Sequence, residues 1–438
     1  MEKFRQTLRV RKERAILVAA ILPPDKDHDN LVELTALAES AGAIVVDRFQ
    51  QKIRTIHPAT YVGHGKVELL AARVRRFKAN VVIFDNDLFP RQIRELEEIV
   101  KVKVLDRSEL ILDIFSTRAK TRQAKLQVEL AQLEYTYPRL TRMWSHLDSV
   151  AGAGGATAAG AVGGIGTRGP GEQQLEIDRR LVNKRITLLK RQLADIDKRR
   201  IREIEARKGL FKICLIGYTN AGKSTLLNAL TAADALVEDR LFATLDTRTR
   251  KWTLCRAAEV LLSDTVGFVK NLPHQLVASF KATLEEAINA DLLLHIIDAA
   301  NCDALKQLES VEKVLQEIGC GQNPIMKVLN KADIIKDISE LEMLQTLYPD
   351  AVSISAKTGF GLEQLTEAVL AKYQGAVLLL RISSSQSDGR IQSFLRAYGQ
   401  IIDEQYRDGS VTIDARLGRN QLPTLKRLQP QTLEILQS

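Results

Sequence analysis

Short apolar runs alternate with amphipathic ones over the first hundred residues. Ala15–Leu22, Ala43–Phe49, Val81–Phe84 and Val102–Leu105 have the length and β-branched content of buried strands. Between them, Leu31–Ser40, Gly65–Phe77 and Arg91–Val100 space their apolar residues with a helical period. Strand and helix in alternation predict a parallel sheet with helices on its faces. From Arg107 the pattern turns helical. Leu126, Leu130, Leu133 and Tyr137 recur at heptad spacing, and Pro138 is expected to interrupt that seam. A second stretch, from about Gln173 to Lys208, carries Val182, Ile186, Leu189, Leu193 and Ile196 on a seam of the same period. The two seams predict an antiparallel hairpin. The alternative is that each helix packs separately on a neighbouring domain.

Further along, Phe211–Ile216, Val260–Ser263 and Ile325–Leu329 are hydrophobic strands. In the tail, Ala376–Ile382 patterns as a strand and Ile391–Ile401 as a helix. Asp403–Tyr406 and Val411–Ala415 flank an Arg407-Asp408-Gly409 turn, a hairpin signal. The expected fold is a multidomain α/β chain. Residues 1–106 form an N-terminal α/β domain and 107–209 a helical hairpin. Residues 210–373 form a nucleotide-binding domain and 374–438 a small C-terminal α+β domain.

Composition changes this picture at one place. Nine of the twenty residues from Gly152 to Gly171 are glycine, and most of the others are small. Such a segment buries too little apolar area to offset its ordering entropy, so it is expected to be a mobile loop joining the two seamed helices, or a simple spacer. The net charge of +9 favours polyanionic partners without naming one. Arg168–Lys208 holds 13 Lys/Arg against 7 Asp/Glu, interleaved with the apolar seam, so these cations are expected on its solvent side. The four cysteines, Cys214, Cys255, Cys302 and Cys320, form no C-x-x-C pair, which argues against a cysteine metal site or disulfide framework and fits a reducing cytosol. No apolar run approaches the about 18 residues that span a bilayer, so no integral membrane segment is expected. The apolar stretch near the start runs straight into Pro23-Pro24-Asp25 and reads as a strand rather than a signal peptide.

The chemistry sits in the third domain. Phe211–Ile216 leads into Gly217-Tyr218-Thr219-Asn220-Ala221-Gly222-Lys223-Ser224-Thr225 and then a helix, which is G-x-x-x-x-G-K-S between strand and helix. The glycines let backbone N–H groups curl toward the β-phosphate. Lys223 is expected at the β- and γ-phosphates and Ser224 on Mg²⁺. Asn330-Lys331-Ala332-Asp333 follows the strand Ile325–Leu329. The Asp333 carboxylate can accept both N–H donors of the guanine edge, and adenine offers no matching pair. Ser355-Ala356-Lys357 is placed to close the pocket over the base. Asp264-Thr265-Val266-Gly267 is expected to hold Mg²⁺ through water at Asp264 and to sense the γ-phosphate with the Gly267 N–H. Within Leu241-Phe242-Ala243-Thr244-Leu245-Asp246-Thr247, a hydroxyl should ligate Mg²⁺ in the triphosphate state. Thr244 is the choice, with Thr247 and Thr249 as competitors. The predicted catalytic set is Lys223, Thr244 and Gly267, and the metal set Ser224 and Thr244. Residue 268 is Phe, where Ras-like enzymes carry a water-orienting Gln, so intrinsic hydrolysis should be slow and raised by a partner. Gly63-His64-Gly65-Lys66 fits no phosphate-loop pattern and reads as turn chemistry.

Gly163-Gly164-Ile165-Gly166-Thr167-Arg168-Gly169-Pro170-Gly171-Glu172, continuing to Arg180, resembles the signature of HflX-type GTPases. LFATLD, DTVGFVKNLPHQLVASFKATLEE and the upstream KLQVELAQLEYTYPRL carry the resemblance over nearly the whole chain. It implies binding to the large ribosomal subunit and its rRNA, with the Gly-rich loop reaching toward the peptidyl transferase centre. It also implies the splitting of stalled or idle ribosomes under stress. By the same resemblance Thr244 becomes the Mg²⁺ ligand. Relatives often have Pro where this chain has Thr247, a departure that bears on switch geometry. The expected molecule is a cytoplasmic monomer, with a membrane-associated fraction left open. Competing readings are a nucleotide-gated RNA-binding module in which hydrolysis is only a release timer, and a GTPase serving a membrane or protease partner.

Overall fold

The computed structural model describes residues 12–23, 30–143, 170–206, 211–231, 241–242, 247–255, 258–270, 286–320, 323–335, 338–375, 377–385, 389–407, 409–418 and 421–437. The Gly-rich segment 152–169 and residues Ala243, Thr244, Leu245 and Asp246 lie outside them. The chain divides into two compact units.

The first unit begins with β1 (Arg14–Ile21), α1 (Asn30–Ser40), β2 (Ile44–Lys52), α2 (His64–Phe77), β3 (Val81–Phe84), α3 (Pro90–Val100) and β4 (Lys103–Leu105). The strands form a parallel sheet in the order β2-β1-β3-β4. β1 is central and buried along its length after Arg14, as an unbroken apolar run requires. β2 is an edge strand whose residues are exposed or half-buried except Phe49, and it runs to Lys52, beyond the apolar run that marks it in sequence. Gly63 is simply the N-cap of α2.

The helices α4 (Arg107–Arg118), α5 (Arg122–Met143) and α6 (Pro170–Ala206) follow. Asp106 caps α4, its Oδ1 accepting from the Glu109 N–H at 2.8 Å. The same oxygen accepts from the Tyr135 hydroxyl at 2.6 Å, and Oδ2 accepts from Arg139 at 2.8 Å. These bonds flank Pro138 and hold α5 through it, so the expected interruption does not occur. The seams meet. Leu126, Leu130, Leu189 and Leu193 share one buried cluster with Leu133, Ile186 and Ile196 against it, which removes the alternative of separately packed helices.

Leu241, Phe242 and Lys270 also belong to this first unit. Phe242 is buried at φ 58° and meets Phe115 of α4 edge-on at 4.5 Å. The Lys270 N–H donates to Glu33 Oε1 at 3.4 Å, and Glu33 pairs at 2.9 Å with the buried Arg107.

The second unit holds two sheets. β5 (Phe211–Gly217), α7 (Lys223–Thr231), β6 (Arg248–Cys255), β7 (Ala258–Asp264), β8 (Leu292–Asp298), α8 (Ala304–Glu317), β9 (Ile325–Asn330), α9 (Ile338–Leu347), β10 (Val352–Ser353) and α10 (Leu362–Gln374) build the larger one. Its order is β10-β9-β8-β5-β7-β6, parallel except for β6. Ile213, Leu215, Val260, Leu262, Leu294, Ile296 and Val328 form its core. The tail is β11 (Val377–Ser385), α11 (Gly389–Tyr398), β12 (Gly399–Arg407), β13 (Ser410–Gly418), α12 (Leu422–Arg427) and β14 (Thr432–Gln437). This βαββαβ run makes an antiparallel sheet in the order β12-β13-β11-β14, a ferredoxin-like arrangement. Its first helix ends at Tyr398, not Ile401, because Gly399 already pairs with Leu417 as strand.

Candidate nucleotide site

The site forms at the carboxyl ends of β5, β7, β8, β9 and β10, where an α/β sheet ordinarily binds its ligand. β5 ends at Gly217, whose φ of 147° and proximity to β8 demand glycine. A Cβ there would lie 2.2 Å from the Ile296 carbonyl oxygen. The loop Tyr218–Gly222 then turns through Asn220 at φ 60° and Gly222 at φ 93° into α7. A Cβ on Gly222 would lie 2.2 Å from Asn330 Nδ2. That close approach is used: Asn330 Nδ2 donates to the Ala221 carbonyl at 2.8 Å, and Asn330 Oδ1 accepts from the Ala356 N–H at 3.0 Å. One buried amide thus ties the phosphate-loop sequence to both base-motif loops.

Those loops take their shape locally. Lys331 sits at φ 67° and its Nζ pairs with Asp298 at the end of β8, 2.6 Å away. The Ala332 N–H donates to the Ile354 carbonyl at 3.1 Å, which leads a short 3₁₀ turn, Ala332–Ile334, with Asp333 exposed. Ser355 is fully buried, and its hydroxyl accepts from the Thr358 N–H at 3.2 Å. Lys357 projects to solvent.

On the phosphate side, Lys223 is buried and donates to the carbonyls of Gly217 at 3.1 Å and Tyr218 at 2.7 Å. Burial lowers its pKa to about 8, against the opposing pull of Asp264. Ser224 Oγ donates to Asp264 Oδ2 at 2.6 Å. Thr265 Oγ1 donates to the Leu215 carbonyl at 2.7 Å, which pins the strand end that carries Asp264. Thr225 opens the first turn of α7 beside Ser224. Val266 and Phe268 are buried. Gly267 lies so close to the loop that a Cβ would be 2.9 Å from Lys223 Nζ. A hydroxyl and a carboxylate in contact beside a lysine are hard oxygen donors of the kind Mg²⁺ takes when phosphates complete its shell. Among the described residues no cluster of three or more His, Cys, Asp or Glu forms a metal cage.

Known proteins resemble this chain over most of its length. Residues 212–331 match a family model described as "50S ribosome-binding GTPase". Residues 28–116 match "GTP-binding GTPase N-terminal" and 118–207 "GTP-binding GTPase Middle Region". A GTPase HflX from Caldanaerobacter subterraneus subsp. tengcongensis is 42% identical over 93% of this chain and 91% of its own. A GTPase HflX from Escherichia coli is 40% identical over 97% of this chain and 98% of its own. The chain belongs to the HflX GTPase family. A crystal structure of a GTP-binding protein from Sulfolobus solfataricus with GDP is similar at 24% identity over 82% of this chain and 98% of that one, with a TM-score of 0.43.

Within the HflX frame, the structure brings together Gly217 to Thr225, Asp264 to Gly267, Asn330 to Asp333 and Ser355 to Lys357. Phe242 falls in the first unit, and Ala243 to Asp246, with the Thr244 hydroxyl, lie outside the described residues. Of the two competitors for the switch hydroxyl, Thr249 is already committed to the sheet. It lies in β6, and its Oγ1 is 2.9 Å from Ser263 Oγ and 3.3 Å from Glu286 Oε2. Sequence reasoning missed Asp298, the partner of Lys331. Its signal was present, as an acidic residue closing the apolar run LLLHIID. It also missed that Arg185 and Lys190 are not free cations. Arg185 pairs with Glu129 at 2.7 and 2.9 Å, and Lys190 with Glu134 at 2.8 Å.

Proposed function

We propose that this chain binds GTP with Mg²⁺, hydrolyses it slowly alone, and uses the nucleotide to govern docking on the large ribosomal subunit, where it splits stalled or idle ribosomes under stress. The observation that carries the nucleotide reading is Asn330, whose one amide fixes the phosphate loop and the Ser355–Lys357 loop in register. In this reading Asp333 accepts from guanine, Lys223 neutralises the β- and γ-phosphates, and Ser224 with Thr244 would hold Mg²⁺ while Asp264 orients its water. The metal supplies charge neutralisation of the transferring phosphoryl group. Phe268 has no side-chain hydrogen-bonding group, so a partner must complete the positioning of water.

The ribosome reading is supported by the family description of residues 212–331 and by the surface of α6. Lys184, Arg191 and Lys198 are exposed and repeat every seven residues, on the helix face turned away from the seam. Leu181 and Leu188 are exposed among them. A cationic stripe with apolar interruptions suits the phosphates and splayed bases of folded RNA. The four-part division at 107, 210 and 374 serves this reading, with the nucleotide domain third. Among the described residues no helix is long and apolar enough to cross a membrane. Co-sedimentation with purified large subunits in GTP, a non-hydrolysable analogue and GDP tests it. Stronger association with the analogue than with GDP is expected, and equal association in all three states would leave no nucleotide control to explain.

A further inference from the structure

Thr219 is a polar residue of the phosphate loop to whose side chain the functional reading gives no role. It is 6% exposed, and its hydroxyl has no hydrogen-bond partner among the described residues. A buried hydroxyl without a partner is costly, and such a group is retained where a partner arrives from outside the fold. Its surroundings say where that partner arrives. A Cβ built on Gly267 would lie 2.7 Å from Thr219 Cγ2, 2.8 Å from Thr219 Cα and 2.9 Å from Lys223 Nζ. Thr219 and the Lys223 ammonium therefore both crowd the glycine assigned to the γ-phosphate.

The backbone closes the same space. The Thr219 N–H donates to the Phe268 carbonyl at 2.7 Å, and the Phe268 N–H donates to the Gly217 carbonyl at 3.1 Å. This pair of bonds holds Gly267 and Phe268 against the loop. A γ-phosphate that meets Lys223 and the Gly267 N–H enters beside Thr219, whose buried hydroxyl has no partner among the described residues. The Phe268 side chain brings no polar atom to the position.

Resting on the GTPase reading, we infer that the Thr219 hydroxyl is the chain's own positioning group at the γ-phosphate, supplying a hydrogen bond that the side chain of residue 268 lacks. In hydrolysis the water oxygen bonds to the γ-phosphorus, the bond to the bridging oxygen of the β-phosphate breaks, and GDP leaves with that electron pair. The water's protons end on the products. Thr219 keeps its own proton, donating a hydrogen bond to a γ-oxygen and accepting one from the attacking water, so it orients and is not a base.

The test uses the full chain in single-turnover hydrolysis at saturating GTP, with and without large subunits, beside GDP binding. Thr219→Val keeps the shape and removes the hydroxyl, and Thr219→Ser keeps the hydroxyl and removes the methyl. The expected result is a rate loss of about tenfold or more for Thr219→Val. Its GDP affinity should stay within about twofold of the parent, and Thr219→Ser should keep a near-parental rate. A parental rate in Thr219→Val overturns the inference, and so does an equal loss in both variants. If Thr219→Val no longer binds GDP, Thr219→Ala is read the same way: lost rate with retained GDP binding supports the assignment, and retained rate overturns it. Failure of the GTPase reading itself is distinct, because the parent chain would then release no phosphate.

Discussion

Asn330 is the residue through which a base motif acts on a phosphate loop, since both ends of its amide are engaged. Asp333 differs: it is exposed. Asp333→Asn places a donor opposite the guanine donors, so GTP affinity should fall while xanthosine triphosphate, with the complementary acceptor, gains. A variant that still prefers GTP in competition binding would remove Asp333 from the base site. Lys223 gives a pH prediction. Its pKa is lowered to about 8 by burial, and phosphate charge favours the protonated form. Below pH 8 the lysine is charged before and after binding, and affinity is flat. Above pH 8 binding must take up a proton, so triphosphate affinity should fall by up to about tenfold per pH unit. A flat titration between pH 7 and 9.5 contradicts this, and Lys223→Ala should lose both the slope and most of the affinity. These residues were legible in sequence because a strand end followed by a fixed motif leaves little choice of position. Thr219 was legible only as a loop letter, because an unpartnered hydroxyl is a property of the packing around it.

At the scale of elements, the two seams pack through Leu126, Leu130, Leu189 and Leu193. Leu189 is fully buried, so Leu189→Ala should destabilise the helix pair by about 2–5 kcal/mol. Hydrogen exchange should then lose protection in α5 and α6 while β5 and β8 keep theirs. Loss spread evenly over the chain would mean that the pair is not a separate cooperative element. The charge pattern of α6 also sorts into two classes. Replacing Lys184, Arg191 and Lys198 with Gln should weaken large-subunit binding and flatten its salt dependence, by about 0.7–0.9 in the log–log slope for each phosphate no longer neutralised. Replacing Arg185 and Lys190, which already pair with Glu129 and Glu134, should change that slope less. Sedimentation across a salt series separates the two, and identical slopes would leave no stripe. Heptad spacing made these helices readable, whereas which cation finds a carboxylate depends on the facing helix. Pro138 misled for a related reason: Tyr135 and Arg139 hold the helix through long-range bonds to Asp106 that local sequence cannot show.

Across the whole molecule, the sequence pattern anticipates, in successive segments, a parallel N-terminal sheet, a helical pair, a nucleotide-binding α/β segment and a small terminal α+β segment, because each carries its own period. The compact units do not follow those segments. Leu241, Phe242 and Lys270 lie in sequence among the nucleotide motifs but belong to the first unit, where Phe242 meets Phe115 and Lys270 meets Glu33. No local pattern announces such a grouping, since it depends on residues more than a hundred positions away. The measurement that bears most directly on this account is the rate of phosphate release from GTP by the full chain, with and without purified large ribosomal subunits. The account predicts slow release alone and an acceleration of about 10³–10⁵ at saturating subunits, the range by which an activating protein raises a GTPase lacking its own complete site. Rapid turnover by the isolated chain, unchanged by large subunits, would contradict it.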